Sequence, residues 1–507
     1  MKKIRVIFIC FIALFLAGCQ SDTTRHDVSA SNTSGTYLKC SGVNVCGYKN
    51  SGSDNAYLDI SLSDIADKDI TIVFTNEGDT DVSLPFIRVE TLLRDEIRQN
   101  KERESADAFK YISGVIKDFK PAELAEQNSG INLSPQPSYK VWFEGNKSSW
   151  NIHSDFAVQG GTSREATLVK QLTVLGRTIN IWVEDSEFGS IDYEKIDDIA
   201  SSIDTVYTNV VSIAGEPWGV HNASNLIPSG QPLDIVFVKL SDVGGYFWPR
   251  DNYKNTTYPN SNEALAIMID TDTLHLGGKL ITLGSIAHEI THAINFYQRF
   301  VRMGSDAAFG NFLNEMTAIM MEDIVAKKIS YNGVGGRYKS WLNASLYHLD
   351  VTEWMYADSR SYDIAGSFGA FLLRQHGTDF YKTLLKTRSD LSINDTHAKS
   401  VNILDKAVKA YNGEGLGLAL RNWGASIAMF PISATPQGFG YPARSDNGIE
   451  LEAFDGSVYK QYRNLPTSSP LTLTAHAHFP FLRKTSSATY KETFIVPKGV
   501  SVSVIVQ

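Results

Sequence analysis

Residues 281–298 read ITLGSIAHEITHAINFYQ, and no other stretch constrains the chain as tightly. Their apolar positions recur at the spacing of one helix face, which predicts an α-helix. On that helix His288 and His292 are four residues apart, so both imidazoles can share one metal ion. Glu289 lies about 100° around the helix axis from His288, where it can reach a metal-bound water. Two nitrogen ligands, a carboxylate base and an open coordination position make up a hydrolytic zinc centre.

The flanking sequence favours this interpretation. Residues 264–270 (ALAIMID) predict a strand, and the following TDTLHLGG predicts a loop that leads into the helix. The strand at 264–270 is also the candidate edge of the catalytic sheet. The alternative is a buried helix whose two histidines bond only to backbone groups.

A third protein ligand is expected in a catalytic zinc site. A further histidine six residues after His292 is absent, because position 298 is Gln. Residues 312–325 (FLNEMTAIMMEDIV) predict a second helix with an apolar stripe. Glu315 lies on it, far enough along the chain from His292 for the second helix to return beside the first, and it is the candidate ligand. The alternative for Glu315 is a solvated surface acid.

Two further side chains are candidates for supporting roles. Glu322 lies two helical turns beyond Glu315 and is expected to hold the second nitrogen of a ligand histidine. The alternative is a solvated acid beside Asp323. Tyr362 precedes a predicted helix at 364–376 and is a candidate donor to the oxyanion of amide hydrolysis. Most of the 22 tyrosines are expected to be packing residues, which is the alternative for Tyr362.

With these residues identified, the chain resembles the gluzincin metallopeptidases and, within them, the hyicolysin family of secreted bacterial peptidases. The matching stretches are GGYFWPRD (244–251), IAHEITHAINF (286–296), FLNEMTAIMMED (312–323) and YDIAGSFGAFLLRQHG (362–377). The thermolysin group carries an Asp four residues after its ligand Glu. Here that position is Ile319, so the resemblance to thermolysin itself is weaker.

The resemblance implies a zincin-like fold and one Zn²⁺ per chain. It implies that His288, His292 and Glu315 bind the zinc and that Glu289 is the base. It also supports Tyr362 as the oxyanion donor and Glu322 as the carboxylate behind a ligand. No motif resembles the exopeptidase sequence that anchors a substrate amino terminus, which favours an endopeptidase.

The first residues predict export. Residues 1–19 join a basic start to a short apolar run and end in Leu-Ala-Gly-Cys, which resembles a bacterial lipobox. Cys19 would then be lipidated, and the alternative is an ordinary secretory signal with a chance cysteine. Cys10 leaves with the signal, and Cys40 and Cys46 are expected to form a disulfide in an exported chain.

The predicted fold class is α+β. A zincin-like catalytic domain, with a mixed sheet, an active-site helix and then a mainly helical subdomain, is flanked by small β domains. The expected divisions are a lipoprotein signal peptide (1–18), a flexible tether (19–36), an N-terminal β domain (37–150), the metallopeptidase domain (151–430) and a C-terminal β domain (431–507). Further helices are predicted at 192–212, 336–348, 378–389, 401–412 and 416–428.

These features predict a zinc endopeptidase anchored by lipid to the bacterial cell envelope, at the outer membrane if the cell is Gram-negative. The partners expected are a protein or peptide substrate and the membrane. The formal net charge of −9 argues against nucleic acid. The alternatives are a catalytically inactive surface-binding lipoprotein on the same scaffold and an envelope hydrolase of a non-peptide substrate.

Overall fold

The computed structural model describes residues 28–29, 36–41, 45–89, 121–125, 141–153, 161–191, 193–241, 243–330, 349–355, 360–429, 437–454, 465–484 and 486–507. The predicted signal peptide (1–18) and the predicted helix 336–348 lie outside these residues. In the described part of the chain, no helix is both long enough and apolar enough to cross a membrane.

The strands among these residues are β1 (Val28–Ser29), β2 (Thr36–Ser41), β3 (Val45–Lys49), β4 (Ala56–Ser63), β5 (Asp69–Asn76), β6 (Val82–Ser83), β7 (Lys147–Ile152), β8 (Thr162–Val174), β9 (Arg177–Glu184), β10 (Leu233–Val238), β11 (Gly245–Phe247), β12 (Leu265–Asp270), β13 (Arg444–Asp446), β14 (Ile449–Leu451), β15 (Thr472–Leu473), β16 (His478–Lys484), β17 (Thr489–Val496) and β18 (Val500–Val506). The helices are α1 (Tyr193–Ala214), α2 (Gly278–Asn295), α3 (Asn311–Ala326), α4 (Arg360–His376), α5 (Thr378–Lys386), α6 (Thr396–Asn412) and α7 (Leu416–Ala428).

The half of the molecule that contains residues 281–298 is built on a mixed six-stranded sheet in the order β11-β12-β10-β9-β8-β7. Strands β12, β10 and β9 are parallel, and the others pair antiparallel. Every residue of β10 and β12 is buried, as expected for strands covered on both faces. The expectation that 264–270 forms the sheet edge is wrong, because β11 pairs on its outer side. The Gly-Tyr-Phe segment 245–247 takes that place.

Four helices pack in sequence beside this sheet. Helix α1 buries one face of regularly spaced apolar residues, among them Ile199, Ile203 and Val210. Helix α2 packs against α1, and α3 packs against both α2 and α4. One continuous apolar core joins these helices to the sheet. Helix α2 is therefore enclosed on several sides, which holds its side chains in defined positions.

The two ends of the chain form a single β-sandwich. One sheet has the order β16-β5-β18-β3-β2 and the other β1-β4-β17, so each combines N-terminal and C-terminal strands. Their facing residues share one core. The structure thus differs from the expected separate domains at 37–150 and 431–507. Alternation in YLDISL (57–62) and SVSVIV (501–506) reveals a buried face but not which strand pairs with it.

The domain bounds differ at two other places. Strand β7 belongs to the six-stranded sheet and not to the N-terminal β domain. The β13–β14 hairpin packs against α3 and not within the sandwich. Helix α7 joins the two halves, because Ala425, Ala428 and Met429 pack against Val45, Val73 and Ile505 of the sandwich.

Candidate metal centre

Helix α2 carries both histidines of the predicted motif on one buried face. The ring centroids of His288 and His292 lie 4.7 Å apart, as expected for neighbours on successive turns. Residues 281–301 contain no Pro and only Gly284 among glycines, so nothing in the sequence breaks the helix before the second histidine. The helix is followed directly by a π turn at Phe296–Val301.

Glu315 reaches the two histidines from helix α3. Its Oε2 atom lies 3.1 Å from His288 Nε2, and its Oε1 atom lies 3.4 Å from His292 Nε2. The second contact is an ion-pair distance without hydrogen-bond geometry. Glu315 is buried, so it is not the solvated surface acid of the alternative interpretation. The structure therefore brings the three predicted ligands together.

Glu322 contacts the opposite edge of the first histidine. Its Oε1 atom lies 2.7 Å from His288 Nδ1, while Nε2 of the same ring faces Glu315. An imidazole that binds a metal through Nε2 keeps its proton on Nδ1 and donates it to an acceptor such as this carboxylate. Glu322 is buried and not solvated. Its position suits the orienting role predicted for it.

The acids of this cluster favour a positive charge on the residues or ions beside them. Burial by itself lowers the pKa of His288, but hydrogen bonds with Glu315 and Glu322 outweigh burial and raise that pKa to about 10. Burial by itself raises the pKa of Glu315, but the neighbouring His292 and His288 lower it to about 2. The acids around the buried imidazoles therefore favour a positive charge in this cluster, a place that a metal ion can take from the proton.

The donor atoms fit one metal ion. One ligand atom from each of His288, His292 and Glu315 lies within 4.8 Å of the other two. Atoms bound about 2.1 Å from a tetrahedral zinc lie about 3.4 Å apart. Each histidine Nε2 lies at a similar distance from a Glu315 oxygen, 3.1 Å from Oε2 for His288 and 3.4 Å from Oε1 for His292. Both ring nitrogens of His292 are buried, and no described residue hydrogen-bonds to them. Two imidazoles and one carboxylate are a donor set of zinc hydrolases, so these residues suit zinc.

Glu289 lies beside strand β11. A Cβ atom added to Gly245 would lie 3.4 Å from Glu289 Cγ and 2.8 Å from the Met268 carbonyl oxygen. Only glycine allows β11 to lie this close to both the neighbouring strand and the predicted base. Strand β11 pairs with β12 and has no second partner among the described strands. The edge strand of the six-stranded sheet therefore lies next to Glu289.

Tyr362 lies in the first turn of α4, which begins at Arg360 and not at the predicted residue 364. Its ring is half-buried and packs edge-on against Trp354, with the centroids 4.7 Å apart. Helix α4 packs along α3, which carries Glu315. The catalytic role of the Tyr362 hydroxyl stays a prediction.

An ion pair that was not predicted from the sequence joins α3 to α4. Arg374 donates to both carboxylate oxygens of Asp323, with 3.1 Å between Nη2 and Oδ1. Asp323 directly follows Glu322, and the guanidinium also lies over the Phe454 ring. The available signal was a single arginine in the apolar stretch AGSFGAFLLR (365–374), because a buried arginine needs an acid within reach.

Cys46 lies in the core of the β-sandwich, apart from the core that contains the metal centre. Cys46 in β3 is disulfide-bonded. Cys40 lies in β2, and the register pairs Leu38 with Gly47 and Ser41 with Val45, which brackets both cysteines. The Cys40 side chain and all of Cys19 lie outside the described residues. The Cys40–Cys46 pairing and the lipidation of Cys19 therefore stay predictions.

Comparisons with known proteins bear on both halves of the molecule. A family described as a domain of unknown function (DUF8571) matches residues 26–89, which contribute the N-terminal strands of the sandwich. No curated protein matches the chain. The family described as Peptidase M30 matches residues 160–507, which include the metal centre, α7 and the C-terminal sandwich strands. The chain therefore belongs to the peptidase M30 family, the hyicolysin family of metallopeptidases.

Proposed function

We propose that this protein is a zinc-dependent endopeptidase. The observation that carries the proposal is the buried cluster of His288, His292 and Glu315, with the buried Glu289 next to His288 on the same helix. Membership of a metallopeptidase family supports it independently. The complete set of ligands and base argues against the inactive surface-binding alternative, because a decayed enzyme usually loses one of them.

The chemistry divides between the metal and the side chains. When bound by His288, His292 and Glu315, zinc supplies Lewis acidity and makes water a better nucleophile. Glu289 accepts the proton of the attacking water and later delivers it to the leaving amine. Tyr362 donates a hydrogen bond to the oxyanion that forms from the scissile carbonyl. Glu322 keeps the His288 ring oriented by accepting its Nδ1 proton.

The substrate is proposed to be an extended peptide lying along β11. The edge strand of a sheet can bind an extended chain that adds to the sheet as a further strand. Gly245 places this edge beside Glu289, so a peptide paired there has its backbone next to the base. A cleft that binds backbone in this way accepts internal peptide bonds, in agreement with an endopeptidase.

The site of action is proposed to be the bacterial cell envelope, with the chain exported and held by lipid on Cys19. The support is the sequence of residues 1–19 alone, which joins an export signal to a lipobox-like end. In a Gram-negative cell the outer membrane is the proposed destination. The negative net charge supports protein over nucleic acid as the substrate.

The test combines metal content with casein cleavage, for residues 20–507 and for the same chain with Glu289→Ala. We expect about one zinc in each protein and cleavage only by the unsubstituted chain. Loss of the base should slow cleavage on the order of 10³-fold or more. Zinc in both proteins without cleavage by either would favour the surface-binding alternative. Absence of zinc from both would overturn the proposed metal centre.

A further inference from the structure

A buried polar bridge joins the two helices that carry the ligands. The Asn295 side-chain amide donates to Asn314 Oδ1 at 2.8 Å and to Thr317 Oγ1 at 2.9 Å. Thr317 Oγ1 in turn donates to the backbone carbonyl of Asn314 at 2.9 Å. Asn295 and Thr317 are buried within otherwise apolar packing between α2 and α3.

The bridge brackets the carboxylate ligand. Asn295 lies three residues after His292 on α2, and Asn314 and Thr317 lie on either side of Glu315 on α3. Apolar side chains resist separation of two helices but tolerate small shifts along their axes. Hydrogen bonds are directional and fix distances to within a few tenths of an ångström, so this bridge sets the register of α3 on α2.

We propose that Asn295 is a positioning residue that holds Glu315 at the distance from His288 and His292 required for metal binding. The inference rests on the proposed function, because it assigns Asn295 a role in that same centre. Removing the amide leaves the half-buried Asn314 without its donor and the buried Thr317 Oγ1 without one of its bonds. An unmet hydrogen bond in the buried position favours a shift. A shift of α3 then moves Glu315 away from the two imidazoles.

A second buried polar network provides a matched control. Trp423 Nε1 donates to Ser367 Oγ and to the Tyr441 hydroxyl, both at 3.1 Å. This network also joins elements of the helical core, and Ser367 is fully buried. It contains none of the ligands or their immediate neighbours. Ser367→Ala therefore perturbs buried hydrogen bonds without altering the register of α2 and α3.

The experiment measures the zinc dissociation constant of the metal-stripped full chain by competition with a chromogenic chelator, together with the thermal unfolding of each zinc-free protein. The variants are Asn295→Leu, which keeps the number and branching of the side-chain heavy atoms, and Ser367→Ala. We expect zinc affinity to fall roughly tenfold for Asn295→Leu and to stay unchanged for Ser367→Ala. Equal zinc affinity in Asn295→Leu and the unsubstituted chain would overturn the inference and leave the proposed function standing.

A second pair of variants decides the matter if Asn295→Leu fails to fold. Thr317→Val removes the hydroxyl at constant shape, whereas Thr317→Ser keeps it. Weaker zinc binding by the valine variant alone supports the positioning role, and equal binding by both contradicts it. If the unsubstituted chain binds no zinc, the proposed function fails and the inference fails with it.

Discussion

The metal centre and the β-sandwich differ most in how far apart their parts lie along the chain. The hydrogen-bonded His288 and Glu322 are 34 residues apart, on two α-helices that follow one another along the chain. In the sandwich, Asn50 donates to the Val496 carbonyl across 446 residues. One region is therefore specified by local spacing, and the other forms only when the two chain ends meet.

The two regions also differ in chemistry. The sandwich core is apolar and rich in phenylalanine, with Phe481 in ring contact with Phe74, Phe479 and Phe494. The metal centre places acids and imidazoles in a buried setting, where their mutual distances determine whether a cation binds. Substitutions in the sandwich should therefore change the free energy of unfolding, and substitutions in the centre should change zinc affinity.

The largest effect is expected from Phe481→Ala. Phe481 is completely buried in the sandwich, and its truncation should lower the free energy of unfolding by about 3–5 kcal/mol. Chemical denaturation followed by fluorescence measures this loss. The zinc affinity of the folded fraction should not change. Phe86→Ala is the control, because Phe86 in the same half is 83% exposed and should cost at most about 0.5 kcal/mol.

A parallel fall in zinc affinity for Phe481→Ala would contradict the separation of the two regions. It would mean that a change in the packing of the sandwich alters the metal centre through α7, where Ala425 and Ala428 contact sandwich residues. A small stability loss would instead mean that the sandwich core relaxes around the cavity.

Local spacing explains what the sequence could predict. Helices α2 and α3 follow from apolar periodicity, and the four-residue step from His288 to His292 follows from helix geometry. The distance between Glu315 and Glu322, seven residues on one helix, likewise predicted that both would face the same helix. These inferences needed no knowledge of which distant elements meet.

Pairing between distant segments explains what the sequence could not predict. The segment containing Gly245 is only three residues long, too short for an alternating pattern, so the sequence favours the longer and more apolar 264–270 as the edge. Alternation in β4 indicates one buried face, but an alternating pattern does not identify the strand that pairs with it. Asn295 lies in a predicted helix, where an asparagine ordinarily indicates an exposed position.

The next largest effect is expected from Glu322→Gln, which keeps an acceptor for the His288 Nδ1 proton but removes its charge. Zinc affinity should fall about 10- to 100-fold, or about 1.4–2.7 kcal/mol. Chelator competition measures it. Glu492→Gln is the matched control in the sandwich, where Glu492 pairs with Arg483 at 2.8 Å, and it should leave zinc affinity unchanged. Equal zinc affinity in both variants would show that the charge of Glu322 does not affect zinc binding by His288.

The smallest effect is expected from a histidine of the sandwich, His478, whose surroundings differ from those of His288 in the metal centre. Burial lowers the pKa of both histidines, but hydrogen bonds with Glu315 and Glu322 outweigh it and raise the pKa of His288. His478 in β16 has no such acid among the described residues, and burial lowers its pKa to about 3. The unfolded chain protonates His478 below about pH 6.5 and the folded chain does not, so its contribution to stability is complete above pH 6.5 and is lost as the pH falls towards 3. His478→Gln should therefore reduce the fall in unfolding free energy by about 1.4 kcal/mol per pH unit between about pH 5.5 and 4.

Denaturation midpoints across this pH range measure that slope, and His476→Gln provides the opposite control. Burial by itself lowers the pKa of His476, but hydrogen bonds with Asp350 and the charge of Asp79 outweigh it and raise that pKa. The stabilisation from His476 is therefore complete below about pH 6.5 and is lost as the pH rises through its folded pKa. His476→Gln should cost stability mainly in acid, whereas His478→Gln should relieve acid sensitivity. An equal dependence of unfolding free energy on pH in the two variants would contradict this prediction. It would mean that Asp350 and Asp79 do not make the pKa of His476 differ from that of His478.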